Sequence, residues 1–270
     1  MEQAVWTRVD AGHGVPLDLL SARYVHHRFT PHAHEKFAIG ACVEGREFID
    51  YRGTRHYMGP GSLVVIEPGE VRTGGAAGPD GFAYRVLYPQ WTMLASDRVP
   101  HFRDLVVDDP GLAAEVRRTH VGLTRWRDPL ETESRLSWVL AELVRRHAVN
   151  APTVERPAGY AVVRAAMDHL AAHMVDPPSL HEIAGGLGLS RFQLLRAFRE
   201  TVGIPPYAWL AQHRVARARD LLVAGHRPAQ AATLTGFADQ AHLTRWFRRV
   251  VGVTPGVFRN SVQDSRRAEL

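Results

Sequence analysis

Short apolar runs broken by glycine and proline fill the first hundred residues of the chain, and a helical spacing takes over from about Gly111. Phe37 to Val43 is a continuous apolar run closed by Glu44-Gly45. Glu47 to Tyr51 follows, then Arg52-Gly53, then Arg55 to Met58. Gly59-Pro60-Gly61 precedes Leu63 to Ile66, and Glu67-Pro68-Gly69-Glu70 closes that run. Phe82 to Tyr88 alternates with a period of two. Short strands at this spacing, with Gly and Pro at the turns, predict a sandwich or small barrel.

The second half reads as helices. Leu112 to Trp126 carries Val116 and Leu123 among arginines. After Asp128-Pro129, Leu136, Val139, Leu140, Leu143 and Val144 share one side, opposite Glu131, Glu133, Glu142, Arg145 and Arg146. Two readings of the 131–148 helix stay open: packing on the barrel, or a subunit contact that makes a homodimer. Residues 151–159 hold two prolines and no periodicity, and read as a linker. Tyr160 to Val175 is amphipathic, with Val163, Met167, Leu170 and Met174 inward. Ser179 with Glu182, and Ser190 with Gln193, match capping boxes. Between them, Leu180, Ile183, Ala184, Leu187 and Gly188 spell helix, tight turn, helix. Trp209 to Val223 is a long helix, and Pro228 to Thr235 a short one.

The stretch from Gly236 to Arg259 repeats this plan. Asp239 is placed to cap a helix, Leu243, Phe247 and Val250 form an apolar stripe, and Gln240, Thr244, Arg245 and Arg248 lie opposite. Moving back 49 positions aligns Ser190 with Asp239, Phe198 with Phe247, Arg199 with Arg248 and Gly203 with Gly252. One supersecondary unit is used twice. The predicted fold class is therefore α+β in two domains. A β-barrel domain with following helices spans 1–150. An all-α domain of two helix-turn-helix units joined by a long helix spans 160–261, with a tail at 262–270.

Charge sharpens this division. Residues 160–270 hold 14 arginines against 8 acidic residues, so the chain's formal excess of +5 sits there. A basic segment built from helical repeats points to nucleic acid. The single cysteine, Cys42, leaves no internal disulfide and no multi-cysteine zinc site. No apolar run of about 18 residues is present to span a membrane, and the first ten residues lack a signal-peptide core. A cytoplasmic protein, nucleoid-associated when bound to DNA, is expected.

Within the strand region stands Pro31-His32-Ala33-His34-Glu35. His32 and His34, two apart on a strand, face the same way. Two imidazoles and a carboxylate suit a metal, or hydrogen bonds to a polar ligand inside a barrel. Together with Gly59-Pro60-Gly61 and Pro68-Gly69-Glu70, they make this part resemble the cupin double-stranded barrel. A metal cupin would supply a further histidine near Val71 or Arg72. The guanidinium of Arg72 cannot ligate a metal, but it pairs well with a carboxylate or phosphate. The expectation is an organic-effector pocket lined by His32, His34, Glu35, Tyr51, Glu67, Arg72 and Trp91, without metal or cofactor. Two alternatives remain: a metal-dependent cupin enzyme with an accessory DNA-binding domain, and a regulator whose barrel is purely structural.

From Tyr160 to Arg259 the chain resembles the AraC/XylS transcription regulators. The resemblance is carried by Ala232, Gly236-Phe237, Asp239-Gln240, Leu243, Arg245, Phe247, Gly252 and Thr254-Pro255, and by Arg214, Ala218, Leu221 and Leu222. Ala231 and Thr235 depart from it, standing where the family places larger aliphatics, and Pro228 sits in the same helix; looser packing of the second unit's first helix, and weaker DNA contacts there than in the first unit, are expected. The resemblance implies a non-enzymatic DNA-binding regulator, an activator in most relatives, with promoter DNA, RNA polymerase and a small-molecule effector as partners. Base contacts carried over by position are Arg191, Phe192, Leu195, Arg196, Gln240, Ala241, His242, Thr244 and Arg245. Phosphate contacts are Ser190, Arg199, Arg248 and Arg249. Two reading helices one duplex turn apart, roughly 34 Å, are implied.

Overall fold

The computed structural model describes residues 2–151 and 159–268, the side chains of 262–268 aside. Most of the linker expected at 151–159 therefore lies outside the described residues. Two compact units separate: residues 2–126 with 135–151, and residues 127–134 with 159–268. The eight residues 127–134, assigned from sequence to the first domain, thus group with the helical one. Among the described residues no helix is long and apolar enough to cross a membrane.

The first unit is built on antiparallel strands. They are β1 (Gln3–Asp10), β2 (Pro16–Tyr24), β3 (Arg28–His32), β4 (Ala38–Gly45), β5 (Glu47–Tyr51), β6 (Thr54–Met58), β7 (Ser62–Ile66), β8 (Arg72–Ala76), β9 (Phe82–Tyr88) and β10 (Val106–Asp108). One sheet runs β1-β2-β9-β4-β7-β10 and the other β3-β8-β5-β6. Helices α1 (Pro110–Leu123) and α2 (Pro129–His147) follow.

The larger sheet is covered on both faces, which is why its strands read as near-continuous apolar runs. Successive side chains along a strand point to opposite faces. Leu19, Ile39, Ala41, Leu63, Val65 and Leu87 go one way and meet Leu112, Val116, Leu136, Val139, Leu140 and Leu143 of α1 and α2. Leu20, Ala38, Val64, Ile66, Tyr84, Val86 and Tyr88 go the other way, toward Ile49 and Met58 of the smaller sheet. The apolar side of α2 is thus occupied within its own chain, as the packing reading of that helix expects.

Strands β1 and β8 escape the apolar pattern. Strand β1 is an edge strand paired only with β2 and almost wholly exposed, so no alternation marks it. Strand β8 carries Gly74 and Gly75 because a neighbouring backbone comes close: a Cβ on Gly74 would sit 2.6 Å from the Phe48 carbonyl oxygen. Glycines imposed by close approach read in sequence as a turn.

The helical unit comprises α3 (Tyr160–Ala172), α4 (Leu180–Gly186), α5 (Arg191–Val202), α6 (Pro206–Val223), α7 (Pro228–Leu234), α8 (Gln240–Val251) and α9 (Pro255–Ala268). The last is a helix through most of the stretch expected to be a tail. Helix α6 supplies Ala208, Ala211, Val215, Ala218 and Leu222 to a core shared with Ala231, Ala232, Phe237, Leu243, Trp246 and Phe247. Ala231 and Thr235, the two departures, are both buried, and the Thr235 hydroxyl donates to the Ala231 carbonyl at 2.6 Å. Gly236 adopts φ +79°, and a Cβ there would lie 2.6 Å from Val175 Cα; both conformation and space demand glycine.

The core of this unit holds a buried guanidinium. Arg214 is 2% exposed, its Nη1 lies 2.5 Å from Asp128 Oδ2, and its Nε donates to the Met174 carbonyl at 2.9 Å. The guanidinium also lies 5.8 Å from the Phe237 ring centroid. Residues 127–134 therefore bring the counter-charge that lets α6 keep an arginine in its core. Asp128→Ala should cost about 3–5 kcal/mol by leaving that charge unpaired, read in urea unfolding of the full chain. Asp128→Leu combined with Arg214→Met should recover most of the loss, because an apolar pair of similar volume replaces the ions.

Candidate functional site

The two helix-turn-helix units are set by local chemistry. The Ser190 hydroxyl accepts from the Gln193 amide, whose side chain accepts in turn from the Ser190 N–H at 2.7 Å. Asp239 accepts from the His242 amide at 2.6 Å. Both α5 and α8 end on a left-handed glycine, Gly203 at φ +79° and Gly252 at φ +89°. Two helices 49 residues apart thus begin and stop by the same devices.

Their outer faces differ. On α8, Gln240, Ala241, Arg245, Arg248 and Arg249 are exposed and Thr244 half-buried, with the Thr244 hydroxyl donating to the Gln240 carbonyl at 2.8 Å. His242, expected among the reading residues, is instead 4% exposed. It packs edge-on against Phe237 with its Nε2 3.7 Å from Glu131 Oε2. The position lies on the arc of α8 that residues 127–134 cover. Val250, placed on the apolar stripe, is 45% exposed at the helix end, where the core has stopped; Trp246 fills that side instead.

On α5, Arg199 is exposed, while Arg196, Phe192 and the capping Ser190 are half-buried. Leu195 is 1% exposed and cannot reach a base edge. Helix α5 packs against both α3 and α4, so its apolar arc is wider than a single stripe and takes in Leu194, Leu195, Ala197 and Phe198. Arg191 is also drawn in. Its Nε is shielded from solvent and its guanidinium lies against the Phe192 ring at 4.9 Å. Burial lowers its pKa, with the Glu133 carboxylate working against the shift. Arg196, Phe192, Gln240, Ala241, Thr244 and Arg245 are the expected base-contacting residues that keep an open side.

The first unit contains a cavity of about 150 Å³ between its sheets. Period-two alternation delivers its walls: Leu20 and Tyr24 from β2, Glu47 and Ile49 from β5, Val64 and Ile66 from β7, and Tyr84, Val86 and Tyr88 from β9. Trp6, Phe29, His32, His34, Ala38 and Arg72 to Gly74 complete it. His32, His34 and Arg72 are therefore brought together as expected from sequence. Their registers explain it, since His32 and Tyr51 flank Arg72 on the two strands beside β8.

The other four expected pocket residues are elsewhere. Glu35 is exposed in a bend. Glu67 accepts from the Phe102 amide at 2.7 Å and meets His101 Nδ1 at 3.0 Å, tying down the next loop. Tyr51 lies under Arg52, its ring centroid 5.0 Å from that guanidinium, next to Glu70. Trp91 sits 37% exposed in a short 3-10 turn. Tyr51 shares the face of β5 that carries Glu47 and Ile49 but stands at the end of the strand, outside the cavity wall, and the other three lie off the strands. The residues missed are Trp6, Tyr24, Phe29, Glu47, Tyr84 and Tyr88; the even spacing of Tyr84, Val86 and Tyr88 was the available signal.

Arg72 dominates the electrostatics of the cavity. Its Nη2 lies 2.6 Å from His34 Nε2. A guanidinium only donates, so this imidazole nitrogen accepts and carries no proton. Burial first, then the charge of Arg72, holds His34 down at about 4. The His32 Nδ1 is 2.7 Å from the Thr30 carbonyl. Among the described residues no three His, Cys, Asp or Glu side chains gather to share a metal ion. Burial pushes the Glu47 carboxyl up to about 8, with Arg72 opposing the shift. Burial also raises the phenols of Tyr84 and Tyr88, so they remain donors.

Known proteins share both halves of this plan. The family model for an AraC-like ligand binding domain matches residues 14–140, and that for a helix-turn-helix domain matches residues 183–261. The uncharacterized HTH-type transcriptional regulator YbfI of Bacillus subtilis is 26% identical over 80% of this chain and 82% of its own length. The arabinose operon regulatory protein of Salmonella typhimurium is 24% identical over 83% of each chain. The HTH-type transcriptional regulator RipA of Corynebacterium glutamicum is 30% identical over 63% of this chain and 52% of its own. These relatives are named transcriptional regulators, not enzymes, which favours the regulator over the metal-dependent enzyme.

The Glu47 carboxyl makes the first unit's stability depend on pH. Its ordinary value is 4.5 and its folded value about 8, so the folded chain holds that proton more tightly than the unfolded one. The stabilisation it provides is complete below pH 4.5 and is lost as pH rises toward 8. Glu47→Gln should therefore gain on the wild type through that interval, measured as melting temperatures at successive pH values. A constant difference between the two proteins would contradict the assignment.

Proposed function

The chain belongs to the AraC/XylS family of transcription regulators, and from that premise we propose that α5 and α8 enter successive major-groove segments of promoter DNA. Its established character is that of a DNA-binding transcription regulator with an effector-binding domain. The proposal concerns which residues do what.

Arg196 and Arg245 read base edges, with Gln240 and Thr244 in support. An arginine offers two donors to guanine, and a glutamine one donor and one acceptor to adenine. Phe192 and Ala241 meet thymine methyl groups. Arg199, Arg248 and Arg249, with the Ser190 hydroxyl, hold phosphates and set the register without specifying sequence. The observation that carries this reading is the pair of identically terminated helices, each with an arginine on its open side, in the basic part of the chain. The cavity between the sheets receives an organic effector, through His32, His34 and Arg72, and its occupancy alters how the helical unit meets DNA. Activation by contact with RNA polymerase, a homodimer formed through the N-terminal domain or the 131–148 helix, and action in the cytoplasm at the nucleoid complete the proposal.

A test begins with sites selected from random duplexes by the wild-type protein. Arg196→Ala and Arg245→Ala should each lose about 1–3 kcal/mol on the selected site and relax preference at one base pair. Equal loss on selected and scrambled duplexes in mobility shifts would reassign them to phosphates. Arg248→Ala should weaken both alike and reduce the slope of log affinity against log salt by about one.

A further inference from the structure

We propose that the effector is a small monocarboxylate whose apolar part is about one ring in size, with its carboxylate received by Arg72. The inference rests on the reading of the cavity as the effector site and adds the chemical class.

Three observations lead to it. The first is an unanswered cation. Arg72 Nη1 is buried and makes no hydrogen bond, while Nη2 is engaged by His34. A buried guanidinium donor without a partner is costly, and an anion is the group that relieves it most. Among the described residues none supplies one to Nη1. Glu47 is the carboxylate whose charge bears on Arg72, and burial keeps it largely protonated at neutral pH. His34 accepts from Arg72 as a neutral base and leaves the positive charge in place.

The second is size. A cavity of about 150 Å³ is the volume known to take a single benzene-sized guest. A carboxylate attached to one ring or a short branched chain fits, and a long acyl chain does not. The third is the wall. Around the cavity, Tyr24 meets Phe29 edge-on with centroids 5.2 Å apart, His34 meets Tyr88 edge-on at 5.1 Å, and Trp6 stacks on Tyr88 at 5.0 Å. Aromatic edges and faces at these separations suit a flat apolar body. Its carboxylate would then accept from Arg72 Nη1 and from the phenols of Tyr84 or Tyr88. The Glu47 carboxyl, protonated, is a further donor on the same side.

Thermal unfolding of the full chain with benzoate, its neutral isostere benzamide and the cation benzylamine tests the class. Benzoate at millimolar concentration should raise the melting temperature in a dose-dependent way, and the other two should not. Arg72→Gln should weaken benzoate by about tenfold or more, with Arg72→Lys between the two. Equal shifts with benzoate and benzamide, or no shift with benzoate, would overturn the carboxylate assignment. The wild-type comparison stands even if an Arg72 variant misfolds. A cavity-filling variant, Val64→Phe, separates the two levels of the argument. If benzamide or benzylamine stabilises the wild type and Val64→Phe abolishes that, the cavity is the effector site and only the class is wrong. If benzoate stabilises folded Val64→Phe as well as it does the wild type, the ligand binds elsewhere and the cavity reading fails.

Discussion

A guanidinium keeps its proton in a protein interior, so an arginine removed from water must find its counter-charge by position. That constraint governs both units of this chain. In the helical unit it is met from within: Asp128 lies 2.5 Å from Arg214, and the Met174 carbonyl takes a second donor. In the double-sheet unit it is met only in part, since His34 accepts one donor of Arg72 and a second is left buried and free of any hydrogen bond. The first arrangement completes a fold. The second leaves an opening with a definite chemical preference.

The ion pair of Arg214 also decides what the reading helices can offer. It fixes residues 127–134 in the helical unit, where Glu133 accepts from the Leu180 amide at 2.8 Å at the start of α4, and Glu131 approaches His242 on α8. The same short segment therefore touches both helix-turn-helix units and withdraws His242 and Arg191 from their outer faces. Helix α8 still has Gln240, Arg245, Arg248 and Arg249 exposed, and α5 presents Arg196 and Arg199 beside a broader apolar arc. The two copies of one repeat are thus unequal: the second carries the larger open polar face.

In the double-sheet unit, burial on both faces of one sheet does two jobs. It anchors α1 and α2 through one set of alternating residues, and it turns the other set toward the cavity. Rigidity of the walls follows from the same packing that supports the helices. Helix α2 illustrates the cost to sequence interpretation: an apolar face that could have served a partner is covered within the chain.

Patterns local to a few residues were legible before any coordinates. Caps at Ser190 and Asp239, left-handed glycines at Gly203 and Gly252, the 49-residue repeat and the alternation of Phe82 to Tyr88 each follow from neighbours in the chain, where backbone geometry and spacing suffice. They carried the division into strand and helix domains, the family, and the convergence of His32, His34 and Arg72. Contacts between distant segments were not legible. Burial of Leu195 depends on two helices closing over α5, burial of His242 on a segment more than a hundred residues away, and the inward turn of Glu47 on the register of β5 against β8. A sequence states what each residue prefers, and only the folded chain decides which distant group arrives to satisfy it.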